Sequence, residues 1–261
     1  MLSKIFNFIK KKDNDDEQTE LKESHLGSDW SFLQTDIHSH FIPGIDDGAQ
    51  TIEDSIMLIR EMHAMGFRNI ITTPHIKFDH YPNTTATILQ GLHGLQQALK
   101  ENNIDMPIKA AAEYFVDDHF MQLLENEPLL TIRNKEILIE FSFVFEPMGL
   151  FDTIFKIQTY GYRPILAHPE RYSFFHNKPN IYSELKDRGC LFQLNTISLS
   201  GYYGRIVKDI ADSMIGKNLY DYCGSDMHHI RHAEVLKKLM LSNSFNTLRD
   251  YPFLNAQLLS N

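Results

Sequence analysis

Ile137-Leu138-Ile139-Glu140-Phe141 is a run of strand length, apolar except for one carboxylate. An ionised glutamate in such a run is costly unless a cation or hydrogen-bond donors meet it. The run belongs to a candidate strand over Glu136–Phe141, one of seven. The others are Asp36–His38, Asn69–Thr73, Ile108–Ala112, Pro164–Ala167, Leu191–Asn195 and Leu219–Cys223. Between them lie helical stretches with recognisable punctuation. Thr51-Ile52-Glu53-Asp54 reads as a capping box, and Gly66, Gly161 and Gly189 stand where helices should end. Repeated βα units predict an α/β fold with a mostly parallel sheet. Seven of them in this length favour a barrel over an open sheet.

The chain has 261 residues, 43% hydrophobic and 23% charged, enough for one large domain with a sizeable core. We place that domain at residues 30–261, with a flexible amphipathic and charged tail over 1–29. No apolar run approaches the roughly 20 residues that span a bilayer. Lys10, Lys11 and Lys12 follow the first apolar residues where a signal peptide would have its cleavage site. Cys190 and Cys223 provide no disulfide framework and fit a cytoplasmic protein. The tail has two readings, a plain linker or a weak anchor at the inner membrane face through Leu2, Ile5, Phe6, Phe8 and Ile9 beside its lysines. A formal net charge of −9 argues against a nucleic-acid partner. It leaves phosphorylated substrates open, because bound divalent cations invert the local field of an acidic site.

The ends of the candidate strands carry the chemistry. Asp36-Ile37-His38-Ser39-His40 presents His38 and His40 on one side of an extended chain. Later ends bring His75 after Thr73-Pro74, Glu113 after Ala112, Glu140, His168 after Ala167, and the Asp226-Met227-His228 pair. In a parallel barrel all these ends converge on one face. Each residue alone has an ordinary reading, as a satisfied polar group or a salt-bridge partner. Together, five histidines and three acids point to a metal centre of two or three ions. Mixed nitrogen and oxygen donors suit Zn²⁺, Mn²⁺ or Fe. Asp47 is either a further ligand, direct or through water, or a turn residue of Asp46-Asp47-Gly48. A cluster of this kind polarises a phosphoryl oxygen and generates hydroxide as nucleophile. Arg171 offers a two-pronged grip on phosphate, or else a salt bridge to Glu170 or another acid. Neither cysteine is followed by an arginine six positions later, so a thiolate phosphatase loop is absent.

These motifs resemble the polymerase and histidinol phosphatase (PHP) superfamily, and within it the manganese-dependent bacterial protein-tyrosine phosphatases of capsule and exopolysaccharide loci, the CpsB/YwqE type. Matching pieces are Asp36–His40, Gly44–Gly48, Thr73–His75, Ala112-Glu113, Ile139–Ser142, His168–Tyr172 and Ser225–His228. The resemblance runs from about Thr35 to the C-terminus. It implies a distorted seven-stranded (β/α) barrel with His38, His40, Asp47, His75, Glu113, Glu140, His168, Asp226 and His228 around three ions. It also implies a phosphotyrosine protein as substrate, a tyrosine kinase that regulates polysaccharide export. Arg171 and Asp226 are the residues expected to act in catalysis. The family's second phosphate-binding arginine, in a Gly-Arg-Pro stretch, is missing here. Arg231 in His229-Ile230-Arg231-His232 stands in a shifted register as its replacement. A small-molecule phosphatase, such as one for histidinol phosphate, and a non-catalytic scaffold are the alternatives.

Overall fold

A computed structural model describes residues 29–178 and 180–259. All of the expected tail except Asp29 lies outside the described residues. Nine short strands occur: β1 (Thr35–Asp36), β2 (Asn69–Thr72), β3 (His75–Ile76), β4 (Ile108–Ala110), β5 (Glu113–Phe115), β6 (Glu136–Glu140), β7 (Arg163–Ala167), β8 (Leu191–Asn195) and β9 (Tyr222–Gly224). Every pairing between them is parallel, in the orders β1-β2-β4 and β3-β5-β6-β7-β8-β9. Eight α-helices accompany them: α1 (Ile52–Ala64), α2 (Thr85–Glu101), α3 (Asp118–Asn126), α4 (Leu150–Thr159), α5 (Ile181–Asp187), α6 (Arg205–Gly216), α7 (Ile230–Leu239) and α8 (Asn243–Asp250). The α/β alternation is as expected.

The strand boundaries need three corrections. The second and third candidate strands end early, at Thr72 and Ala110, and each is followed by a further short strand the sequence did not mark, β3 and β5. Pro74 has no N–H to donate at the first break, yet pairing continues across it. Ala111 N–H donates to Thr72 O at 2.9 Å and Glu113 N–H to Pro74 O at 3.1 Å. The first strand is ladder-paired only over β1. Beyond it, His40 N–H donates to Met227 O at 3.0 Å and Asp226 N–H to His38 O at 2.7 Å. This brings the chain after β1 beside the chain after β9, and the sheet is curled. The last strand starts at Tyr222 rather than Leu219, because Leu219 N–H still closes the end of α6 on Met214 O.

The pleat divides the apolar residues into two clusters. Ile37, Ala111, Leu138, Ile165, Ala167, Leu191 and Tyr222 fill the concave side of the sheet. Ile137, Ile139, Leu166, Phe192 and Leu194 face outward among helix residues such as Leu58, Ile154 and Leu185. Residues two apart share a side, so Glu140 stands over Leu138, and Gln193 and Asn195 over Leu191. The capping box forms as expected, with Asp54 N–H to Thr51 Oγ1 at 3.2 Å and Thr51 N–H to Asp54 Oδ2 at 3.0 Å. Cys190 and Cys223 are buried and unbonded to each other.

Glu170 turns inward from the 3-10 turn Pro169–Arg171 that follows β7. Its carboxylate accepts from Asn195 N–H at 3.0 Å, Ser198 Oγ at 2.7 Å and Tyr220 OH at 2.9 Å. Burial nevertheless pushes this carboxyl up to about 7. The folded state therefore binds the proton more tightly than the unfolded chain does. Stability from this group is full below the ordinary glutamate range and is lost as pH rises through 7. A shift of that size corresponds to about 3 kcal/mol. Glu170→Gln is expected to flatten this part of the profile. Melting temperatures at pH 5 and pH 8 check it, and an unchanged difference between the two pH values rules the assignment out.

Candidate metal centre

The strand ends carry their polar residues to one end of the sheet. Glu113 opens β5 and Glu140 closes β6. His75 opens β3, and His168 follows β7 directly. His38 and His40 extend beyond β1, while Asp226 and His228 extend beyond β9. Two of these positions have a left-handed backbone, His168 at φ 36° and Asp226 at φ 50°. That conformation is uncommon outside glycine and clusters at functional sites. Two glycines make room. A Cβ on Gly48 would lie 2.2 Å from the His40 carbonyl oxygen, and one on Gly224 would lie 2.6 Å from His38 Cβ.

Glu113 is the hub. Its Oε2 lies 3.1 Å from His38 Nε2 and 3.2 Å from His75 Nδ1, and its Oε1 lies 3.2 Å from His168 Nε2. Asp226 Oδ1 lies 3.4 Å from His38 Nε2 and 3.5 Å from His40 Nε2. Asp226 Oδ2 accepts from Asn195 Nδ2 at 2.7 Å and Arg171 Nη1 at 2.8 Å. Glu140 Oε1 is 3.5 Å from His168 Nε2. Asp47 stands at the mouth with 51% of its side chain exposed, its Oδ1 3.5 Å from both His75 Nε2 and His228 Nε2. The sequence-predicted ligand residues therefore come together. Arg171 pairs with Asp226, not Glu170. Arg231 is exposed, with its guanidinium 5.5 Å from the Tyr202 ring centre, outside the residues that line the cleft.

Protein groups alone do not settle this cluster. His40 Nε2, His75 Nδ1, His168 Nδ1 and Glu113 Oε1 are buried without a hydrogen-bond partner. Burial drags the His38 imidazole down, but Glu113 and Asp226 outweigh it and hold His38 up at about 9. Burial and then Glu113 push Glu140 well above the usual carboxylate range. His168 is pulled down to about 4 by burial and by Arg171. Imidazole and carboxylate lone pairs left without a partner in a crowded acidic cluster are what divalent cations resolve. Four groups of ligand atoms each lie within 4.8 Å of one another: His40/Asp47/His75/His228, His38/Glu113/His168, His38/His40/Asp226 and His75/Glu113/Glu140. The residues fit a metal cluster.

Several residues that shape the site escape a linear reading. Asp46 accepts from His40 Nδ1 at 2.8 Å and from His75 N–H at 3.1 Å, so it orients one imidazole and fixes the backbone of another. Gln193 Oε1 meets His38 Nδ1 at 2.8 Å. The only trace of Gln193 in the sequence is an amide inside the apolar Leu191–Leu194 run. Phe143 and Tyr203 flank Arg171, their ring centres 4.6 Å and 4.2 Å from its guanidinium carbon. Tyr81, Phe115, Tyr202 and Tyr203 join Phe143 in lining a cleft of about 550 Å³ over the cluster.

Residues 34–239 match the family model described as capsular polysaccharide synthesis, CpsB/CapC. This chain belongs to the CpsB/CapC family. It is 32% identical to the tyrosine-protein phosphatase YwqE of Bacillus subtilis over 197 residues, 75% of this chain and 78% of that protein. It is 28% identical to the putative tyrosine-protein phosphatase CapC of Staphylococcus aureus, covering 81% and 82% of the two chains. A chain from the crystal structures of YwqE from Bacillus subtilis and CpsB from Streptococcus pneumoniae, described as unique metal-dependent tyrosine phosphatases, matches with a TM-score of 0.73 and 30% identity. The match covers 87% of this chain and 94% of that one. An amidohydrolase from Mycoplasma synoviae shares the fold alone, with a TM-score of 0.52 and 12% identity over 87% and 88% of the chains.

Within this CpsB/CapC site the carboxylate behind His40 has a testable role. Partners that orient a metal-binding imidazole typically contribute about 10- to 100-fold in metal affinity. Asp46→Asn is expected to weaken metal binding by about that factor, read by competition with a chelator of known affinity. Unaltered affinity would make Asp46 a loop-forming residue only.

Proposed function

We propose that this CpsB/CapC chain is a metal-dependent phosphotyrosine-protein phosphatase. The observation that carries the proposal is Asp226, which binds Arg171 through one oxygen and faces three histidines of the cluster with the other. It fixes a phosphate-binding guanidinium beside a metal centre. The relatives named as tyrosine phosphatases support the same reading. In this proposal residues 30–261 form one domain, a distorted seven-stranded (β/α) barrel closed where the chain after β1 meets the chain after β9. The ligands are His38, His40, Asp47, His75, Glu113, Glu140, His168, Asp226 and His228, around two or three ions, preferably Mn²⁺.

The chemistry such ions supply when bound is Lewis acidity toward a phosphoryl oxygen and a lowered pKa for water. The rest belongs to the chain. Among the described residues, the Arg171 side chain has one hydrogen bond to the protein, through Nη1. Its other N–H groups are available for phosphoryl oxygens. Asp226 and Asn195 anchor the guanidinium assembly, and Phe143 and Tyr203 hold it flat from two sides. The aromatic walls of the cleft suit the ring of a phosphotyrosine. Arg231, outside the cleft lining and beside Tyr202, is in this proposal a second cation for an extended substrate. We take the partner to be a bacterial tyrosine kinase that regulates capsule or exopolysaccharide synthesis, met in the cytoplasm. No helix among the described residues is long and apolar enough to cross a membrane.

Exhaustive chelation is expected to abolish hydrolysis of a phosphotyrosyl peptide, and Mn²⁺ to restore it. Full activity in protein shown by elemental analysis to be metal-free would end the proposal. Arg171→Lys keeps the charge but loses the planar fork. A loss of about ten- to a hundredfold in kcat/KM, roughly 1.4–2.7 kcal/mol, is expected with metal content retained. Normal kinetics with a lowered melting temperature would reduce Arg171 to a structural ion-pair partner.

A further inference from the structure

Between the end of β6 and the start of α4 the chain runs Phe141-Ser142-Phe143-Val144-Phe145-Glu146-Pro147-Met148-Gly149. Phe143, Val144, Phe145 and Met148 are exposed by 38%, 73%, 75% and 98%. Apolar side chains concentrated on a surface in this way mark a contact site. The one charged residue of the stretch, Glu146, is already paired with Lys178.

The stretch is anchored in the site at its first turn. The Phe143 ring stacks on the His168 and Tyr172 rings, both with centres 5.4 Å away, and carries Arg171 on its face. Ser142, Phe143 and Val144 line the cleft, and Phe145 and Met148 lie beyond that lining. Apolar surface continuous with a cleft fits an occupant held in the cleft and running out over its edge. A polypeptide does this, with one side chain inserted and its neighbours on the rim. An anionic membrane is a poorer fit. The chain carries a net charge of −9, and the nearby Lys178 is taken up by Glu146. A second copy of the chain would need an interface on the order of 1,000 Å², more than one short loop supplies.

We propose that the loop Phe143–Met148 is the docking wall for apolar side chains adjacent to the phosphotyrosine of a protein substrate. The inference rests on the phosphotyrosine reading above. Because Phe143 is stacked on His168 and under Arg171, whatever settles on Val144, Phe145 and Met148 is held in register with the phosphate grip.

Two phosphotyrosyl peptides test this, one with Leu and Val beside the phosphotyrosine and one with Ser and Gly there. Phenyl phosphate serves as a reference without neighbours. The metal-loaded wild type is expected to favour the apolar peptide by about tenfold in kcat/KM, through KM. In Phe145→Ser/Met148→Ser, checked for an unaltered melting temperature, the preference should shrink to less than about twofold when each peptide is referred to phenyl phosphate. Equal handling of the two peptides by the wild type overturns the docking wall, as does a variant that keeps the full preference. Loop-dependent binding to phosphatidylcholine vesicles without a peptide preference also overturns it and assigns the loop to lipid. Failure to hydrolyse either peptide or phenyl phosphate would remove the phosphatase reading itself, and the docking wall with it.

Discussion

The Glu113 carboxylate lies within 3.6 Å of four imidazoles, those of His38, His40, His75 and His168, and is almost wholly out of water. A buried carboxylate persists only with compensating charge and hydrogen bonds. That requirement governs the end of the sheet where it sits. The break between β4 and β5 places Glu113 at the start of a strand that pairs with β3 on one side and β6 on the other. His75 and Glu140 thereby come into reach. The left-handed turns at His168 and Asp226 point their side chains back over the same spot, at a cost in backbone strain of order 1–3 kcal/mol each.

Around this hub the structure separates two tasks. Asp46 and Gln193 meet the outer nitrogens of His40 and His38, so their other nitrogens face the cluster. Asp226 joins the cluster to Arg171, because one of its oxygens serves the histidines and the other serves Arg171 and Asn195. Aromatic rings then take over. Phe143 and Tyr203 confine the guanidinium, and their neighbours form the walls of the cleft. The histidine cluster and the Arg171 guanidinium are therefore mechanically coupled through one carboxylate, which holds a cation beside the acidic cluster in a chain of net charge −9.

Much of this was legible in the chain itself. Ile137-Leu138-Ile139-Glu140 announces a buried strand with a misplaced carboxylate, and Glu140 does close a buried strand. The histidines and acids at the strand ends were all readable, because a parallel sheet sends every strand end to the same place. The capping box at Thr51 and the helix-ending glycines are local rules that need no tertiary information.

The breaks at Thr73-Pro74 and Ala111-Ala112, the pairing of Arg171 with Asp226 rather than its neighbour Glu170, and the roles of Asp46, Gln193, Phe143 and Tyr203 were decided only in three dimensions. Glu170 is adjacent to Arg171 in sequence, yet the 3-10 turn directs it inward to Ser198 and Tyr220 while Arg171 turns toward the cluster. Gln193 is 155 residues from His38. Arg231 sits in a promising motif but on the first turn of α7, with its guanidinium by Tyr202. The sequence by itself determined which residue types arrive at the end of the sheet, because strand period and direction are local properties of the backbone. Which of them touch was left to the curl of the sheet, since contacts between distant segments depend on how the strands close together and not on the order of residues along them.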